Sequence, residues 1–228
     1  MNLETFRQHI VATYFSSRVG IAIVGILFPL ILWLVGLKLG VELQVSISAY
    51  YHTPMRDVFV GSLFAIGAFL YLYKGYSQKE DIVLDFAGIF ALCIALLPTS
   101  AVTKLVCNTF TAPYLHGIFA ILFFVLISYV CICGASDTLE GIKNESRKRF
   151  YTNLYRVLGG LMIFLPLLSA LLLNLLGQTQ SIVFFVELAG VWVFSAYWIV
   201  KSFEINESQL ETEEKVFGDA IAPKTPTD

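Results

Sequence analysis

Six polar or charged side chains could carry chemistry in a chain that is otherwise strongly apolar. They are Ser48, His52, Arg56, Asp57, His116 and Glu187. The first four lie in one short segment after the first apolar stretch, the second histidine opens a later stretch, and the glutamate lies inside the last one. An arginine fork suits phosphates and carboxylates, and histidine and glutamate form hydrogen bonds, move protons or hold metals. We therefore predict that these six residues bind a ligand.

Glu187 is the most informative of the six, because it follows the apolar run 182–186 and precedes Leu188. A carboxylate inside a membrane span costs a few kcal/mol unless it is protonated or paired. Three interpretations follow from this cost. The side chain is neutral and hydrogen-bonded to a neighbouring helix, or it pairs structurally with Arg56 or His116, or it lines a polar cavity that handles a ligand, a proton or a metal.

A metal site is the alternative use of the same residues. His52, His116 and Glu187 are the ligand types of a zinc site with an open fourth position. In that case the chain is a metal-dependent hydrolase or transferase, with Ser48 or Asp57 assisting. The spacing does not decide this, because no two ligands lie at metal-binding separation on one helix. Our leading interpretation has no cofactor, and zinc belongs to the alternative.

Composition places the chain in a membrane. Apolar residues make up 57% and charged residues 14% of the chain, with a mean hydropathy of +0.75. A soluble domain normally carries about 25% charged residues. No phosphate-binding loop, dinucleotide fingerprint or nucleophile elbow occurs in the sequence, and nothing in it indicates a nucleic-acid partner.

Six apolar stretches predict the architecture. They cover residues 18–37, 55–73, 82–97, 114–134, 152–175 and 181–201. Their length and lack of strand-like alternation predict an all-α polytopic membrane protein with a single bundle of six transmembrane helices. Only Lys38, Arg56 and Lys104 fall in loops that this topology places outside, so the positive-inside rule predicts that both termini are cytoplasmic. We expect the location to be a bacterial-type plasma (inner) membrane.

Three regions are predicted along the chain. Residues 1–17 form a cytoplasmic segment that either lies in the membrane interface or extends the first span. Residues 18–201 form the six-helix transmembrane domain, and residues 202–228 form a disordered, acidic cytoplasmic tail. Charges on the inner side, Asp85 and the basic cluster 147–149, are explained by a helix dipole and by attraction to anionic lipid.

The order of four short motifs resembles that of the DRAM-like group of six-span membrane proteins and its uncharacterised bacterial relatives. The motifs are Val45-Ser-Ile-Ser48, Phe59-Val-Gly61, Leu96-Leu-Pro-Thr99 and the apolar run that begins Leu115-His-Gly117. The resemblance covers roughly the first four spans. It implies a six-helix fold, and it implies no established chemistry.

Our leading prediction is a binding protein rather than an enzyme. An outward-facing cavity between spans two, four and six binds a membrane lipid or small amphiphile, for transport, sensing or envelope maintenance. In this prediction Arg56 contacts an anionic headgroup, His116 and Glu187 form a hydrogen-bonding floor, and Ser48 and His52 form the rim. The remaining alternative is a structural subunit with a membrane-protein partner or a second copy of the chain, which predicts no enclosed polar cavity.

Overall fold

The structure, a computed structural model, describes residues 3–97, 112–134, 138–176 and 181–208. Six long helices run through these residues: α1 (Leu3–Lys38), α2 (Arg56–Leu72), α3 (Gln78–Leu96), α4 (Ala112–Tyr129), α5 (Glu145–Leu176) and α6 (Ile182–Ser208). A short 3-10 helix, Ser48–His52, precedes α2, and a π-helical turn, Val130–Gly134, extends α4. The described ranges contain no β-strand, so the predicted all-helical class is confirmed.

Four of these helices are long and apolar enough to cross a membrane. The candidate spans are Val11–Lys38, Leu115–Gly134, Glu145–Leu176 and Ile182–Glu207. Helix α2 is shorter, with 17 residues, and α3 carries Lys79, Glu80, Asp81 and Asp85 in its first turns. The four apolar helices indicate a membrane protein, whereas the six-span topology stays a prediction.

The helices form a closed ring, because each packs against the next and α6 packs against α1. Small residues permit close contacts within it. A Cβ atom at Gly88 on α3 would lie 2.7 Å from the backbone oxygen of Gly67 on α2, which is closer than real Cβ contacts.

The ring has two ends: the loop end, where residues 39–55 connect α1 to α2, and the opposite end, where residues 73–77 connect α2 to α3.

Two predicted boundaries differ from the observed ones. Helix α1 is continuous from Leu3, so the N-terminal segment extends the first long helix instead of forming an element of its own. Helix α6 continues to Ser208, past the predicted end at residue 201. The predicted disordered tail is therefore wrong for residues 202–208, because Glu204 and Ile205 are fully buried against the ring and hold this part of the helix in place. The rest of the predicted tail, 209–228, lies outside the described residues.

Gly40 ends α1 and turns the chain towards the loop end. Its φ of 78° lies in the left-handed region that favours glycine. The Val41 N–H donates to the Gly36 carbonyl at 2.9 Å, and the Gly40 N–H donates to the Leu37 carbonyl at 3.2 Å. These two bonds are those of a Schellman motif, which satisfies carbonyls that the helix end leaves free.

Tyr50 anchors the segment that follows. Its side chain is fully buried, and its ring centroid lies 5.9 Å from that of Phe184 on α6. Burial raises the pKa of Tyr50, so the phenol stays neutral. The anchored ring holds the 3-10 helix, and with it Ser48, against the loop end of the ring.

Candidate functional site

A cavity of about 300 Å³ lies within the ring and reaches the loop end. All six helices and residues 45–49 contribute to its wall, which is mostly apolar. Only five of its lining residues have hydrogen-bonding or ionisable side chains: Ser46, Ser48, His116, Ser169 and Glu187. Three of the six residues predicted from sequence, Ser48, His116 and Glu187, are therefore brought together on this wall.

His116 connects three parts of the chain at the cavity wall. Its ring is buried, with Nδ1 lying 2.8 Å from the Leu97 carbonyl oxygen at the end of α3 and Nε2 lying 2.9 Å from the Ser48 hydroxyl oxygen. A carbonyl oxygen only accepts hydrogen bonds, so Nδ1 carries the proton. In the neutral ring Nε2 then accepts, and the Ser48 hydroxyl donates to it.

Glu187 holds the segment just before Ser48. Its Oε2 accepts a hydrogen bond from the buried Ile47 N–H at 2.7 Å, and its Oε1 accepts one from the Ser169 hydroxyl of α5 at 3.1 Å. Within the described residues, no ion pair joins Glu187 to Arg56 or His116. Glu187 thus bonds to neighbouring elements and lines the cavity, while its neutral form and its handling of a ligand stay predictions.

The other three predicted residues lie outside the cavity wall. Arg56 and Asp57 are exposed at the start of α2, and an Arg56 Nη2 donates to the Tyr51 hydroxyl at 2.9 Å. The guanidinium carbon lies 4.6 Å from the centroid of the same ring, and the His52 ring packs against it at 5.2 Å. Among the described residues, no group of three His, Cys, Asp or Glu side chains could hold a metal, so His52, His116 and Glu187 do not converge as the zinc alternative requires.

Sequence reasoning missed Ser46, Ser169 and the carbonyl of Leu97. Ser169 had an indirect signal, because it lies one turn after Pro166, and a proline inside a helix disturbs the helix and can open a cavity. Pro166 and Ser169 both line the cavity. The carbonyl of Leu97 has no signal in the sequence, since every residue carries one.

A second polar group, the Lys201 cluster, lies at the opposite end of the ring and consists of Lys201, Glu204, Thr138 and Tyr155. The Lys201 ammonium lies 3.1 Å from the Glu204 carboxylate and donates to the Thr138 hydroxyl at 2.6 Å. The same carboxylate oxygen accepts from the Thr138 hydroxyl at 3.1 Å and from the Tyr155 hydroxyl at 3.2 Å. Sequence reasoning missed this cluster because the predicted domain boundary at residue 201 cut through it.

The two polar groups differ in how exposed their side chains are. Lys201 is 1% exposed and Glu204 is 0% exposed, so the Lys201 cluster offers no surface to a ligand. Ser48 is only partly buried and borders the cavity. The loop-end site is therefore the candidate functional site.

No family model matches the sequence, and no curated protein and no solved structure matches it either. The resemblance to the DRAM-like group thus stays a prediction.

Proposed function

We propose that this chain is a six-span integral membrane protein whose cavity binds a single-chain lipid or a similar small amphiphile. The observation that carries the proposal is the composition of the cavity wall, where a few polar groups joined by hydrogen bonds adjoin a mainly apolar surface. Ligand sites commonly combine an apolar wall with a small number of placed polar groups. An amphiphile fits such a wall when its acyl chain lies along the apolar side and its headgroup lies near Ser48 and Ser169.

The size of the cavity favours a small ligand. Ligand pockets span roughly 300–1,000 Å³, and a cavity of about 300 Å³ is at the lower end of that range. One acyl chain suits this space better than a two-chain phospholipid.

The proposed topology places the cavity on the outer side. Lysine and arginine are concentrated in segments that the six-span arrangement leaves inside, and the short segment around Ser48 then faces outward. An outward-facing site in a bacterial-type plasma membrane is suited to transport, sensing or envelope maintenance. The alternative of a purely structural subunit predicted no enclosed polar cavity. The five hydrogen-bonding side chains on the wall of the observed cavity favour binding over that alternative.

The test is native mass spectrometry of the full chain released from lipid nanodiscs, with a variant that fills the cavity. Gly117 lines the cavity, and a Cβ atom added there meets nothing within 4 Å. Gly117→Phe therefore adds a ring at the cavity wall without a backbone clash. We expect the wild-type chain to retain one amphiphile and Gly117→Phe to lose it.

Gly160→Phe is the matched control. Gly160 is also exposed on a helix, a Cβ atom there also meets nothing within 4 Å, and it does not line the cavity. This variant should retain the amphiphile. A wild-type chain that emerges bare, or equal retention by both variants, contradicts the proposal.

A further inference from the structure

The hydrogen-bonded pair of Ser48 and His116 has the geometry of a nucleophile and its base. The Ser48 hydroxyl oxygen lies 2.9 Å from Nε2, and the other ring nitrogen is held by the Leu97 carbonyl at 2.8 Å. A nucleophile within hydrogen-bond reach of a base, with the base oriented by a third group, is the arrangement that activates serine. Here the third group is a backbone carbonyl, which fixes the tautomer in which Nε2 accepts a proton.

The Ser48 hydroxyl differs from the other two serine hydroxyls in the cavity. The Ser46 hydroxyl oxygen accepts the Ala49 N–H at 3.1 Å, and the Ser169 hydroxyl donates to the Glu187 carboxylate. Only the Ser48 hydroxyl, of these three, is bonded to an imidazole nitrogen. The pairing therefore distinguishes one serine as the nucleophile.

We propose that Ser48 and His116 are catalytic residues that hydrolyse a carboxylic ester of a single acyl chain bound in the cavity. The inference rests on the proposed function, because the same cavity must hold the acyl chain. It requires no metal: the nucleophile, the base and the group that orients the base are all supplied by the chain. The apolar wall holds the acyl chain of the ligand, and its ester group lies beside Ser48 and His116.

The reaction proceeds in two steps. The Ser48 Oγ attacks the ester carbonyl carbon while His116 Nε2 takes the hydroxyl proton, and the same proton then passes to the leaving alcohol as the carbon–oxygen bond breaks. Water attacks the resulting acyl-serine, with Nε2 taking a proton from the water and returning it to Ser48 Oγ. The products are a carboxylic acid and an alcohol, and no oxidant or reductant is needed.

Glu187 acts as a positioning residue in this reaction. It binds the Ile47 N–H and so sets the place of the adjacent Ser48 backbone. The Ile47 N–H is occupied by Glu187, and the Ala49 N–H is occupied separately by the Ser46 hydroxyl. Backbone N–H groups that stabilise the developing oxyanion are a large source of rate in such enzymes, so we expect slow turnover.

A reactive serine probe tests the inference without depending on turnover. The full-length protein in lipid nanodiscs is treated with an alkyl fluorophosphonate, and the modified residue is located by peptide mass spectrometry. We expect one adduct on Ser48, formed as its oxygen displaces fluoride from phosphorus, and none in Ser48→Ala. His116→Gln should slow labelling by about 100-fold or more, the usual contribution of a positioned base.

Ser128→Ala is the control, because Ser128 is a buried serine of the same helix ring whose hydroxyl donates to the Gly159 carbonyl instead of a histidine, and it does not line the cavity. It should be labelled on Ser48 at the wild-type rate. If His116→Gln does not fold, the test is hydrolysis of monodecanoylglycerol. The wild-type chain should release decanoic acid from it, and Ser48→Ala should not.

The outcomes separate this inference from the proposed function. A wild-type chain that retains an amphiphile but forms no adduct on Ser48 overturns the catalytic role and leaves the binding role standing. An adduct on Ser46 or Ser169 instead, or labelling that His116→Gln does not slow, also overturns it. A chain that is both bare and unlabelled contradicts both proposals, and an adduct on Ser48 with acid release supports this one.

Discussion

The two polar groups of this protein lie at opposite ends of one helix ring and differ in what surrounds them. At the loop end, Ser48, His116 and Glu187 face a cavity of about 300 Å³. At the opposite end, Lys201 and Glu204 face each other and are at most 1% exposed. The end with the buried ion pair is the less suited to bind anything.

This difference shows that ionisable groups indicate a binding site only where space adjoins them. In the Lys201 cluster the polar atoms bond mainly to one another: the Glu204 Oε2 accepts hydrogen bonds from Thr138 and Tyr155 and forms an ion pair with Lys201. These bonds join α5, α6 and residue 138, so the cluster holds this end of the ring together. At the loop end the bonds place a few groups along the edge of an open space.

The largest effect on stability is expected from breaking the Lys201 cluster. Lys201→Met leaves the fully buried Glu204 carboxylate without its cation. Removing one partner of a buried ion pair destabilises by roughly 3–5 kcal/mol. Unfolding of the purified protein in mixed detergent micelles measures this loss.

The double variant Lys201→Met/Glu204→Leu is the control for that measurement. It removes both charges and should recover most of the lost stability, because no unpaired charge stays buried. A single variant as stable as the wild type would show that the two ends do not differ in the proposed way.

An intermediate effect is expected at Glu187. Glu187→Leu leaves the buried Ile47 N–H unsatisfied and frees the Ser169 hydroxyl. A lost partner of a buried donor costs roughly 1–3 kcal/mol, and the displaced Ser48 segment should also lower amphiphile retention in native mass spectrometry.

Glu187→Gln sharpens the same test, since its carbonyl oxygen can still accept from Ile47 and its amide can donate to Ser169. It should lose less stability than Glu187→Leu. If the two variants lose the same amount, the hydrogen bonds of Glu187 do not hold the segment.

The smallest effect is expected at Gly40, which directs the chain to the loop-end site. Gly40→Ala keeps the chain in the left-handed region at φ 78° with a Cβ atom present. This conformation costs an L-residue roughly 1–2 kcal/mol. The same detergent unfolding assay should show this loss.

Gly160→Ala should change the stability in the opposite direction to Gly40→Ala, because Gly160 lies in the interior of α5 with open space at its Cβ position. Alanine there should stabilise by up to about 1 kcal/mol. Equal effects at Gly40 and Gly160 would mean that the left-handed turn does not constrain the loop-end segment.

Three of the five polar side chains that line the cavity were predictable from residue type. Ser48, His116 and Glu187 stood out as polar groups beside or within apolar stretches, and all three line the cavity. His52, Arg56 and Asp57 stood out for the same reason, yet they pack on Tyr51 or lie exposed. They lie close to Ser48 in the chain, but of these four residues only Ser48 lines the cavity, so closeness in sequence does not decide which side chains reach the wall.

Composition and hydropathy by themselves determined that the chain is helical and apolar enough for a membrane. Each window of residues contributes to that property independently, so no knowledge of the partners of a helix is needed. Only the tertiary structure decided that His116 meets Ser48 and Leu97, that Glu187 meets Ile47, and that Lys201 and Glu204 are sealed in a cluster. Such meetings depend on the order and rotation of helices around the ring, which arise from contacts between residues far apart in the sequence.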